Sequence, residues 1–368
     1  MKKTLIALAV LAASGAAFAQ SNVTLSGGYG LVVGTSKTGT VSTGTQIARQ
    51  TGNLNFAGVE DLGGGLKAAF QLQTSIGAFA ETKLNNAGAA AAATTLGDRG
   101  ANVSLSGGFG TAFVGRGASA VRGLWGAIGD VSQMPVLSGI SAGAGSKVDA
   151  GARVIYGDAY SNYVAYSSPA MNGFSASVAL AGVDGTTAAT KDTTSFTLQY
   201  ANGPLAAAVN LTDSKQTVAA GAAVAAVAAT QSTTSPFTYT PAVAAVAATP
   251  AVQAYKMTTI LASYDFGVAK VGLTSQQIKL DSGVNPGDAM ALTVAAPIGA
   301  GIVSAGFGKR SASGSLNEYF GDDVKQTFVG YRHNLSKRTA ISLISNKIDR
   351  SGAAADVTET SLVVGHTF

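Results

Sequence analysis

The chain has 368 residues, of which 46% are hydrophobic and only 12% charged, with 47 glycines, no cysteine and a net charge of +5. Without cysteine there are no disulfides and no thiolate metal sites. The mild charge gives no ground for nucleic-acid binding driven by bulk electrostatics.

In chain order, Met1-Lys2-Lys3 is a short positive segment, Thr4 to Ala13 is apolar, and Ala17-Phe18-Ala19 is a small-residue cleavage site. This pattern is that of a secretory signal peptide over residues 1–19. Its removal takes away two lysines and no acid, so the net charge of the mature chain falls from +5 to +3. No later stretch is apolar for the ~20 residues a spanning helix needs.

Seven short turn signals punctuate residues 20–368. They are Glu60 to Gly65, Ser106 to Gly110, Ser168 to Gly173, Asn202-Gly203-Pro204, Asp265-Phe266-Gly267, Ala296 to Gly299 and Asn334 to Arg338. Segments of period two flank each of them, such as Leu66, Ala68, Phe70 and Leu72 against Lys67, Ala69, Gln71 and Gln73. Between these hairpins lie longer gaps near 34–46, 75–98, 117–152, 182–193, 213–255, 279–287, 310–322 and 348–356. Seven tight turns alternating with eight loops predict sixteen strands. An even count, with short turns on one side and long loops on the other, points to a transmembrane β-barrel. Backbone polar groups in lipid require closure. The first strand, Val23 to Val33, is therefore expected to pair with the last, which alternates through Thr360, Leu362, Val364, His366 and Phe368. Histidines 333 and 366 are expected on the outer face near a membrane interface, out of reach of any catalytic arrangement. No motif for a cofactor or metal is present.

Residues 213–255 are low-complexity. The octapeptide Ala-Val-Ala-Ala-Val-Ala-Ala-Thr occurs at 223–230 and again at 242–249. The segment reads as a surface loop expanded by duplication, mobile or locally helical.

Several stretches resemble the general porins of Gram-negative bacteria, of the betaproteobacterial and neisserial type. They are Gly58 to Ala68, Leu105 to Gly110 with Val114-Gly115-Arg116, and Asn162 to Pro169. Val329 to His333, Leu335 to Thr339 and the terminal Phe368 complete the set. The resemblance implies an outer-membrane homotrimer, each barrel holding a water-filled channel for small hydrophilic solutes, narrowed by an inward third loop at about 117–152. It implies lipopolysaccharide as surrounding lipid, and Phe368 as a signal read by the barrel-assembly machinery.

For the constriction it implies basic residues on the wall, with candidates Arg49, Lys67, Arg99, Arg116 and Arg153, facing loop acids, here Asp130 and Asp149. Alternation puts Arg49 and Lys67 on lumen-facing parity. Arg99 shares parity with Val103 and Leu105, so it lies beyond the lipid band or is re-aimed by a bulge. Asn53, Ala57, Ala165 and Gln73 stand where the family usually has charges, which predicts weak anion preference at most. The rival reading is an adhesin or receptor barrel acting through its long surface loops.

Overall fold

The structure is a computed structural model that describes residues 22–76, 96–134, 160–181, 193–215, 230–231, 239–240, 254–281, 287–311, 323–350 and 356–368. The expected signal peptide lies outside these residues. Sixteen antiparallel strands form one closed barrel. The first eight are β1 (Asn22–Thr38), β2 (Val41–Gly63), β3 (Leu66–Ser75), β4 (Gly100–Gly107), β5 (Gly110–Ala118), β6 (Tyr160–Ser167), β7 (Phe174–Ala181) and β8 (Thr193–Asn202). The second eight are β9 (Leu205–Ser214), β10 (Tyr255–Asp265), β11 (Lys270–Leu280), β12 (Gly287–Ile298), β13 (Gly301–Arg310), β14 (Val324–Asn334), β15 (Thr339–Arg350) and β16 (Val357–Thr367). The expected strand count and turn order hold.

Turn chemistry explains the tight rim. Asn172 and Gly173 both take positive φ, 51° and 87°, between the paired residues Met171 and Phe174. This is the geometry whose twist matches two flanking strands, and Asn-Gly is the pair that adopts it at least cost. The low-complexity segment falls between Ser214 of β9 and Tyr255 of β10. Inside it, Thr230–Gln231 pair with Tyr239–Thr240. The repeated octapeptides, Thr230 apart, lie outside the described residues.

Burial is inverted relative to a water-soluble protein. Ile344 is fully buried, while its strand neighbour Leu343 is 55% exposed; Leu261 is 1% exposed and Ile260 50%. Side chains alternate across a strand, so one row faces the interior and the other is an apolar belt suited to lipid. At the tight-turn end this belt carries aromatics. Phe174 packs on Tyr200 with ring centroids 4.6 Å apart, and Tyr264 packs on Phe266 at 4.7 Å. The Tyr331 hydroxyl lies 3.1 Å from Nδ1 of His333. Such rings stand where hydrocarbon gives way to headgroups, and both histidines sit on this outer row as expected.

Two expectations are corrected. The first long loop, placed at 34–46, is a two-residue turn at Gly39-Thr40, because strand pairing continues to Thr38 opposite Val41. The polar run Thr35 to Thr45 reads as loop, yet β16 pins its first part from the other side, with Thr35 opposite Thr360 and Thr38 opposite Val357. The seam is shifted for the same reason. It joins β16 to Gly28–Thr38, with Phe368 and Gly27 exchanging two backbone hydrogen bonds of 3.1 Å.

Candidate functional site

The interior is divided between a loop and an open wall. After β5 the chain turns inward. Ser119 caps a short helix, α1 (Ala120–Leu124), by accepting from the Arg122 amide at 3.2 Å, and the helix continues as a wider π-type turn over Trp125–Gly129. Val121, Leu124, Trp125, Ile128, Val131 and Met134 are all buried. Leu124 and Ile128 pack with Ala208 and Leu261 of β9 and β10. Glycine makes the close approach possible: a Cβ on Gly272 would stand 2.5 Å from the Gly129 carbonyl oxygen, and one on Gly129 would stand 2.4 Å from Oγ1 of Thr274.

The chain then runs across β12 to β14 on hydrogen bonds. Thr293 accepts from the Val131 amide at 3.2 Å and donates to the Gly129 carbonyl at 3.1 Å. Ser304 donates to the Ser132 carbonyl at 2.7 Å, and Arg332 donates to that of Gln133 at 3.1 Å. The third loop is therefore folded inward, as the resemblance implied. Asp130 ends the π-type turn and accepts from the Ser132 amide at 2.9 Å. It serves the loop's own path. Residues 135–159, with Asp149 and Arg153, lie outside the described residues.

β4 and β12 are eight strands apart in the ring of sixteen. The inner row opposite the loop therefore belongs to β1–β7. Away from the Lys67–Asp61 pair at the tight-turn rim, that row is uncharged among the described residues and hydrogen-bonded across four strands. Asn55 donates to Ser26 Oγ at 3.2 Å, Gln71 donates to Asn55 Oδ1 at 2.9 Å, and Asn102 donates to Gln71 Oε1 at 3.4 Å. Next along the wall, Phe113 and Tyr163 stack with centroids 4.7 Å apart and planes 15° from parallel. None of these residues stands out in the sequence, because Asn, Gln and Ser in period two describe any polar strand face.

Three of the arginines expected on this wall, Arg49, Arg99 and Arg116, are elsewhere. A bulge between Gly30 and Leu31 leaves Gln50 unpaired and places Arg49 opposite Leu31, on the outer row. Its guanidinium lies beside the outer side of Gly52 and donates to the Ile76 carbonyl. The inserted residue reverses the parity that strict alternation assigns, so the lumen-facing expectation for Arg49 is corrected. Arg116 pairs with Ala101, two residues from the outward pair Val103–Val114, and its Nε donates to the Asp98 carbonyl at 2.7 Å. It too leaves the lumen row. Arg99 precedes β4, with its amide donating to the Gln73 carbonyl at 3.2 Å, so it stands at the strand end without a bulge. These three arginines hold the base of the second long loop. Lys67 does fall on the inner row, at the tight-turn rim opposite Asp61.

Asp98 is the anchor of that loop base. It accepts from the Ser75 amide at 2.7 Å, the Ser75 hydroxyl at 2.6 Å and the Thr74 hydroxyl at 3.2 Å. Burial, the largest single influence, pushes its pKa up. The Ser75 and Thr74 hydrogen bonds and the Arg99 charge together outweigh it and hold the carboxyl below its ordinary range. A depressed carboxylate contributes stability above its unfolded pKa and loses it as pH falls through the folded value. Limited proteolysis between residues 76 and 99 is therefore expected to proceed at a constant rate from neutral pH down to about 4 and to accelerate below. Asp98→Asn is expected to be cleaved faster already at neutral pH. Equal cleavage of both proteins at every pH contradicts this role.

A closed barrel with an apolar outer belt, a polar inner row and a loop packed inside it is a membrane-spanning channel. The chain belongs to the Gram-negative porins: the model of that family matches residues 4–352. It is 33% identical to outer membrane porin protein 32 of Delftia acidovorans, over 93% of this chain and 88% of that protein. Among solved structures it resembles an anion-selective porin from Comamonas acidovorans, with TM-score 0.65 and 24% identity, covering 95% of this chain and all of that one. It also resembles the trimer form of OmpT, an outer membrane protein of Vibrio cholerae. That match has TM-score 0.63 and 12% identity, and covers 95% of this chain and 99% of that one. The protein is an outer-membrane porin.

Proposed function

We propose that this porin is a passive diffusion channel for ions and small hydrophilic solutes with a slight preference for anions, and that it carries out no covalent chemistry. The balance of charge on the inner rows carries the reading. The described wall of β1–β7 has amides at Asn53 and Gln73 and alanines at Ala57 and Ala165 where the family usually has charges, and at the tight-turn rim Lys67 faces Asp61 and Lys270 faces Asp265. Among the described residues of the inner rows, what remains is a modest excess of base. Arg310, Arg332 and Arg350 fall on inner rows, against Glu359. The anion-selective porin from Comamonas acidovorans, similar in fold, agrees in sign.

In a planar bilayer with a salt gradient, the reversal potential is expected at a small fraction of the chloride Nernst value, on the chloride side. A potential near the full Nernst value of either ion overturns the reading.

Export, assembly and surroundings follow the family. Residues 1–19 are a signal peptide removed on export. The barrel works as a homotrimer, a form also recorded for OmpT of Vibrio cholerae. Phe368 is read by the assembly machinery. At the long-loop rim the outer row places Lys256 opposite Lys279 and Lys309 opposite Lys325. Like charges directly opposite repel, and a phosphorylated outer-leaflet lipid relieves that repulsion.

A further inference from the structure

The uncharged wall has more structure than mere loss of charge requires. From Ser26 to Asn102 it is an ordered chain of one hydroxyl and three amides, each oriented by its neighbour. An Asn or Gln side chain has two donors and an acceptor with two lone pairs. The chain uses one donor each of Asn55 and Gln71 and one lone pair of each carbonyl oxygen. The remaining capacity of these partly exposed groups is directed toward the lumen. Asn102 also donates to the Arg116 carbonyl at 3.1 Å, which fixes its orientation.

Immediately beyond Asn102 the inner row of β5 is stripped of side chains. Gly115 sits between Asn102 and Tyr163 in register, with φ of 131°, and a Cβ there would meet the Ala101 carbonyl oxygen at 2.3 Å. Gly117 repeats the device: a Cβ there would stand 3.0 Å from the Tyr163 hydroxyl and 3.3 Å from Cζ of Phe113. The Tyr163 ring therefore lies across a bare stretch of strand, stacked on Phe113, and its hydroxyl donates to the Ala118 carbonyl at 3.2 Å. The wall thus combines oriented amides, a notch and a fixed aromatic pair, facing the loop across the channel.

This is the chemistry that suits an uncharged, polyhydroxylated ring. Hydroxyl groups exchange their water hydrogen bonds for amide ones at little net cost, while the C–H face of the ring rests on an aromatic. A carboxylate or ammonium gives up more hydration than a neutral wall returns. We infer that the row Asn55, Gln71 and Asn102 with Phe113 and Tyr163 is a weak transit site for monosaccharides and similar neutral polyols. This deepens the channel reading and rests on it.

The test uses the full-length mature porin in liposomes, with glucose and gluconate as probes and potassium chloride conductance as the channel control. Wild type is expected to admit glucose faster than gluconate despite its slight anion preference. The double variant Asn102→Ala, Gln71→Ala is expected to admit glucose about threefold more slowly, the scale of one lost hydrogen bond, with salt conductance no lower than in wild type. Phe113→Leu, which keeps an apolar side chain and removes the ring, is expected to give a similar loss and supplies the readout if the double variant fails to assemble. Unchanged glucose entry in an assembled variant, or gluconate faster than glucose in wild type, overturns the transit site. Absence of salt conductance in wild type overturns the channel reading itself, a different result.

Discussion

Leu124→Ala and Ile128→Ala are each expected to release the third loop from the wall while leaving the barrel intact. Truncating a buried aliphatic side chain typically costs about 2–5 kcal/mol. Here both side chains belong to the small cluster with Ala208 and Leu261 that holds the loop's helical segment. The barrel's own hydrogen bonds do not pass through either residue. The loop carries its own reporter, because Trp125 is the only tryptophan of the chain and is buried. Its emission is expected to shift to the red and become open to an aqueous quencher. Single-channel current is expected to become larger on average and noisier, as docked and released loops interchange. Leu343→Ala, on the outer row at 55% exposure, is the control and is expected to change neither signal. A loop variant with unshifted Trp125 emission and steady current would show that the hydrogen bonds of Thr293, Ser304 and Arg332 hold the loop by themselves.

The second large effect is expected at the seam. Deleting Phe368 removes the partner of both backbone groups of Gly27. It also uncovers the outer side of that glycine, where the ring lies so close that a Cβ would stand 2.6 Å from Cζ. An unpaired backbone group facing lipid costs several kcal/mol. The yield of folded barrel, read as the fraction whose electrophoretic mobility changes on boiling, is expected to fall by about tenfold or more on that scale. Gly27→Val is expected to fail comparably, since its side chain would meet both the ring and the Asn53 carbonyl oxygen. An assembled Gly27→Val barrel at wild-type yield would count against this account of closure.

The consequences for selectivity follow from the same parity argument. Arg49 and Arg116 carry charge out of the lumen, and the amide row replaces it. The inner face is then decided by bases such as Arg332, which alternation from the outward His333 already turns inward, and whose weight appears only once Arg49 and Arg116 are seen to leave the lumen.

The strand count, the tight turns, the outward histidines and the low-complexity excursion were all legible in the sequence, because each depends on local pattern. Period-two alternation and Gly, Asn or Pro at reversals are properties of a few consecutive residues. The inward third loop was available only through resemblance. Its composition, with Trp125, Ile128 and Met134, says that it must be buried, but not where. What the tertiary structure alone decided is where local alternation breaks and which strand stands opposite which. A single inserted residue at Gln50 sends Arg49 outward. The edge of β16 draws Thr35–Thr38 into the sheet and moves the seam to Gly27. Glycines 129 and 272, on segments far apart in the chain, meet to seat the loop. Each of these outcomes depends on a partner strand distant in sequence, and the pairing energy that selects it exists only once the barrel has closed.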